Sequence, residues 1–172
     1  MTSGFDLKLH LHRLLSDEPF FAAISRRVNK SASKALPTAG VTVDEETLQF
    51  KMLYNPDFFK DMEENKIKGV LMHEFYHLIF KHVTSRKPEK IPHIIWNIAT
   101  DLAINSMIGA ENLPEGCCIP GGKQFEDYPM GKTAEFYLEM MKDDEKFGNG
   151  KGGYKSMDGE SGENFGNFDE HG

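Results

Sequence analysis

Cysteine is nearly absent: the chain has two, and they are neighbours, Cys117 and Cys118. Adjacent cysteines seldom bridge one another and cannot staple distant segments, so a disulfide framework is excluded. They also lack the further Cys or His pairs of a structural zinc site and read as reduced thiols in a loop. Basic charge is scarce as well, with 20 Lys and Arg against 27 Asp and Glu for a net charge of −7. That balance gives no basic footprint for a nucleic acid. No stretch approaches the ~18 consecutive apolar residues of a membrane span. The opening MTSGFDLKLHLHRLL puts a histidine and charges where a signal peptide would need an unbroken apolar stretch. The expectation is a cytoplasmic protein with neither nucleic-acid nor membrane partners.

What is present suits one domain followed by a tail. At 172 residues the chain is long enough to bury a core, since a domain of ~150 residues buries roughly 70% of its unfolded surface. The charge is uneven: residues 143–172 hold eight acids and three lysines, and eight of the 16 glycines fall in 148–172. The division expected is therefore a folded domain over 1–142 and a flexible, acidic, Gly-rich tail or linker over 143–172.

Residues 5–16 suit an amphipathic helix with Leu7, Leu11, Leu14 and Leu15 on one side. Ser16 or Asp17 then caps a second helix with Pro19 in its first turn and Phe20, Phe21, Ile24 and Val28 inside. After the break at Pro37 and Gly40, alternation of Val41 and Val43, then of Leu48, Phe50, Met52 and Tyr54, reads as a β-hairpin. Asn55-Pro56 starts a short helix. A long helix follows from about Glu63 to Ser85, with Ile67, Val70, Leu71, Phe75, Leu78 and Ile79 on its apolar side. The next, about 92–108, is apolar almost all round. A Gly/Pro-rich loop (109–131) leads to a last helix, TAEFYLEMMKDD.

The long helix carries the strongest chemical signal, HEFYH at 73–77. Residues four apart on a helix share one face, ~5–6 Å apart at Cβ. His73 and His77 can therefore bring two imidazole nitrogens to one zinc at ~2.0–2.1 Å. Glu74, rotated by one residue, falls beside the metal, where a carboxylate can act as general base of a metallopeptidase. His82, five residues beyond His77, points away from that face at ~100° per residue. It also misses the third-histidine spacing of HExxHxxGxxH proteases. His10 and His12 lie on the N-terminal helix, without a metal role.

Along the 92–108 helix, His93, Asn97, Asp101 and Asn105 recur every four residues as one polar line among aliphatic and aromatic neighbours. A buried carboxylate needs a charge partner, hydrogen bonds or a metal. A hydrolytic zinc site needs three protein ligands, and Asp101 is the third chosen here; pairing with a lysine or with backbone donors is its alternative. Asn97 and Asn105 either orient the ligands from one turn away or simply bridge helices and cap loops. His93, near the helix start, reads as structural.

With these residues in hand, the chain resembles a bacterial and viral metallopeptidase-domain family of zincin-like type. Its longer members add a von Willebrand factor A-like domain at the C-terminus. The resemblance rests on YNPDFF at 54–59, GVLMHEFYHLIFKHVTSR at 69–86, WNIATDLAINSMI at 96–108, LPEG at 113–116 and MGKTAEFYLEMM at 130–141. It implies a zincin-like α+β fold, zinc, and His73, His77 and Asp101 as metal positions, and it supports Glu74 as catalytic. A von Willebrand factor A-like domain or another protein becomes an expected partner, and NFDEHG at the end is similar to a segment where such chains continue. His171 reads there as a tail residue.

The expected protein is thus mostly helical, with a small hairpin or sheet beside the HExxH helix, and hydrolyses a peptide or protein with zinc and Glu74. Tyr76, Tyr54 and His93 are the side chains whose chemistry suits an oxyanion donor. The rival expectation is a non-hydrolytic zinc-binding module that docks a partner. A fourth protein ligand, such as His93 or His171, would favour it.

Overall fold

The computed structural model describes residues 4–44, 46–83 (main chain only for 81–83), 88–145 and 147. The His82 side chain, His171 and the 148–172 part of the expected tail lie outside them.

Helix α1 (Leu7–Asp17) begins where the Asp6 side chain accepts from Lys8 N, and it buries Leu7 and Leu14, two turns apart on one face. The second helix is not continuous. A 3-10 turn at Pro19–Phe21, with no side-chain cap, leads into a short α2 (Ala22–Arg26). Ser16 and Asp17 belong to α1 instead of capping it. Phe20 stays 66% exposed, and Val28 opens strand β1 (Val28–Ala32).

β2 (Ala39–Asp44) and β3 (Gln49–Tyr54) form the expected antiparallel hairpin, and β1 adds on the far side of β3 in parallel, giving the order β1-β3-β2. Leu48 is not a strand residue: it sits in the turn at φ 57°, largely exposed. Val41 and Met52 face each other across the hairpin, both fully buried, in one cluster with Val70, Leu71 and Phe75. Each such side chain contributes roughly 1.5–3 kcal/mol on burial.

Asn55 caps the short α3 (Pro56–Phe59) by accepting from Asp57 N. Helix α4 (Glu64–Val83) then runs through the middle of the molecule, packing on α1, on β2, on α5 (His93–Ile108) and on the 3-10 turn Ala110–Asn112. The apolar girth of α5 is explained by what covers it. Ile95, Ile98, Ala99 and Leu102 join Tyr137, Leu138 and Met141 of α6 (Ala134–Asp143). Ile104 and Ile108 instead pack with Leu113 and Ile119 of the following loop. Packing continues past α6, where Phe147 stacks on Phe125 and Tyr128 donates to Asp144. The architecture is α+β, three strands against a helical majority. No helix among the described residues is long and apolar enough to cross a membrane.

Candidate metal centre

Three side chains meet between α4 and α5. The i, i+4 spacing of His73 and His77 stacks them on one face of α4, and their Nε2 atoms lie 2.9 Å apart. Asp101 comes across from α5, with Oδ1 3.0 Å from His77 Nε2 and 3.4 Å from His73 Nε2. All three residues are buried, as are Glu74 and Asn105. Their helices are anchored on other faces by Leu71, Phe75 and Leu78 in the core against the sheet and by Leu102 in the core against α6, none of them more than 1% exposed.

The field inside is set by burial. Desolvation, then the neighbouring His77, lowers the pKa of His73 below its ordinary 6.5, and the Asp101 and Asn105 contacts only partly offset this. His73 is therefore neutral at neutral pH, with a nitrogen lone pair to offer. Burial works to raise the pKa of Asp101, but its contacts with His73 and His77 outweigh that and hold it ionised. Cys117 stands within the reach of this carboxylate. Burial first, and Asp101 second, push its thiol up to about 11, so it stays protonated in the metal-free chain. Both cysteines are free.

Two donor atoms on a tetrahedral zinc, with bonds of ~2.0–2.1 Å, stand about 3.3 Å apart. The separations here, 2.9, 3.0 and 3.4 Å, form a triangle of nearly that size. Asp101 Oδ1 is buried yet makes no hydrogen bond among the described residues, although two imidazole nitrogens lie within 3.4 Å. A buried carboxylate oxygen this close to two imidazole nitrogens, without a hydrogen bond of its own, fits a cation held between them. Of the described residues, His73, His77 and Asp101 are the set that could hold a metal ion.

The other residues singled out by sequence sit elsewhere or behind. His93 is exposed on the first turn of α5, and His12 is exposed on α1. His10 stacks on Phe5. Tyr76 is half-buried, edge-on to Phe21, and Tyr54 packs edge-on to Phe5. Asn97 is half-buried one turn before Asp101. Asn105, one turn after it, touches the centre, with Oδ1 2.7 Å from His73 Nδ1. Its Nδ2 donates to the backbone carbonyl of Cys118 at 2.8 Å. That carbonyl is the participant sequence reasoning missed, because a main-chain oxygen carries no residue signature.

Comparison with known proteins adds one result. Neither the curated proteins nor the solved structures contain a match to the chain. A family model described as a putative metallopeptidase domain, however, matches residues 4–167, and the chain belongs to that family.

Proposed function

We propose that the protein is a zinc-dependent peptidase on a zincin-like α+β scaffold, with His73, His77 and Asp101 holding the zinc and Glu74 as general base. One observation carries the reading: a buried His-His-carboxylate cluster with a fully buried Glu74 next to its first histidine. The family description points the same way. Two imidazoles and one carboxylate are a donor set suited to a hydrolytic zinc, and three protein ligands leave one position open. When bound, zinc supplies Lewis acidity, polarising a carbonyl and lowering the pKa of a water towards ~7.

The remaining steps belong to the chain. Glu74 accepts the proton of the attacking water and later delivers it to the leaving amine nitrogen. The carboxylate of Asp101 offsets positive charge in the centre from the α5 side. The burial of these side chains keeps the local dielectric low, so each of these interactions is stronger than it would be in water. The substrate class is a peptide or protein.

The test is Glu74→Gln, assayed on a degenerate peptide library with zinc content measured alongside. Glutamine is nearly isosteric and can hydrogen-bond a water but cannot take its proton. General base catalysis contributes 10²–10⁴-fold, so cleavage should fall at least ~100-fold while zinc content and the unfolding midpoint hold. Equal cleavage by parent and variant would remove Glu74 from the chemistry. A parent that holds zinc and cleaves nothing in the library would favour the non-hydrolytic zinc-binding module.

A further inference from the structure

Asn105 sits at the hinge between the metal centre and the loop that follows α5. An asparagine amide has an oxygen that only accepts and a nitrogen that only donates. At Asn105 the choice of which end points where is forced. Nδ2 faces the carbonyl of Cys118, 2.8 Å away, and a carbonyl can only accept. Oδ1 is then left facing His73 Nδ1 at 2.7 Å, and that nitrogen must supply the hydrogen.

We infer that Asn105 is a positioning residue of this centre, fixing His73 in the tautomer that carries its proton on Nδ1 and leaves the Nε2 lone pair aimed at Asp101 and His77. In a neutral imidazole the hydrogen bond made by one nitrogen decides what the other can do. A ring protonated on Nε2 would turn an N–H towards the point where the three donor atoms converge and would have no electron pair to give there. The arrangement is economical in sequence. Asp101 and Asn105 are one turn apart on α5, just as His73 and His77 are on α4. One helix therefore supplies a donor and the lock, and the other supplies two donors. Both ends of the lock are buried, with His73 0% and Asn105 1% exposed, so water does not compete for the bond. The tether to Cys118 keeps the amide from rotating, because a flipped amide would set oxygen against oxygen at Cys118.

The tautomer is a property of the metal-free chain, while its consequence for zinc rests on the reading of His73 as a ligand, and the two are read separately. In the full-length, metal-free parent, imidazole nitrogen NMR should show His73 protonated at Nδ1. Finding the proton on Nε2 overturns the inference outright, whatever the protein hydrolyses. Asn105→Ala should lose the Nδ1–H preference and weaken zinc binding, titrated with the ion alone, by the 10–100-fold that loss of an orienting partner costs. Asn105→Asp retains an acceptor for Nδ1–H but lacks the donor to Cys118, and should recover the His73 tautomer. An Asn105→Ala protein that keeps both the tautomer and parent zinc affinity refutes the positioning role. If that variant does not fold, the parent spectrum and Asn105→Asp still decide: a His73 proton on Nε2 in either one refutes it.

Discussion

Asp101 Oδ1 and His77 Nε2 stand 3.0 Å apart on different helices, 24 positions apart in sequence and both buried. A carboxylate this deep is costly unless a positive charge is near. His73 is a poor candidate to provide one, since burial lowers its pKa. A cation bound between them would supply that charge. Asp101→Asn keeps the shape of the side chain and removes its charge, so zinc affinity should fall by the 10–100-fold scale of orienting losses or more. Competition with a chelator measures it, and circular dichroism checks that the helices persist. An Asp101→Asn protein with parent affinity would mean that the third ligand lies elsewhere.

The two histidines should be harsher losses. Each removes one of three donors from a site whose geometry leaves no spare nitrogen among the described residues. The parent should purify with one zinc per chain, and His73→Ala or His77→Ala should carry almost none by elemental analysis. Full occupancy in either variant would sink the site as drawn.

Acid should weaken the metal-free fold through His73 before it reaches the carboxylates. The folded pKa of His73 lies below 6.5, chiefly through desolvation and then through His77. Between 6.5 and that lower value the unfolded chain binds the proton and the folded chain does not. Stability therefore falls as pH drops through this window. Asp101 has the opposite charge type and acts at lower pH: its ordinary 3.8 and its lower folded value both lie below the 6.5 at which the His73 window opens. Urea midpoints from about pH 8 down to about pH 5 should decline in the parent. The slope should shrink in His73→Gln, and an unchanged slope would show that other groups carry the acid sensitivity.

Legibility from sequence followed the reach of each signal. The helices that build the centre were readable because their cues are local: HEFYH places two histidines four apart on α4, and Asp101 is the lone carboxylate on a mostly apolar α5. Strand β1 was not. Its sequence, VNKSA, buries only Val28, and its existence depends on a parallel pairing with Phe50–Tyr54 some twenty residues later. The same pairing takes Val28 out of the helix expected after Pro19, which instead opens a 3-10 turn leading into a short α2. Leu48 matched the alternation of β3, but the hairpin needs a positive φ there, and the turn won over the pattern. Asn105 was visible as a polar residue on the right face, whereas its second partner, a carbonyl at Cys118, depends on how the following loop returns.

Gly69 sets two general tendencies against each other. It lies in the interior of α4, one turn before His73, where alanine would normally stabilise a helix by about 1 kcal/mol over glycine. Here the bare Cα lets α4 approach the turn after α5. A Cβ at this position would overlap the Asn112 carbonyl oxygen and lie 2.8 Å from its carbon. That carbonyl belongs to backbone and cannot rotate aside as a flexible side chain would. Relief requires α4 and the Ala110–Asn112 turn to part, straining the 2.7 Å hydrogen bond from Asn65 Nδ2 to Glu111 O. Overpacking of this kind costs typically 1–3 kcal/mol and more where the neighbour is rigid, so the clash should exceed the propensity gain. Gly69→Ala is expected to lower the urea midpoint and, by shifting α4 against α5 one turn from His73, to weaken zinc binding as well. A variant more stable than the parent, as helix propensity alone would dictate, would show that α4 and the turn do not meet as closely as described.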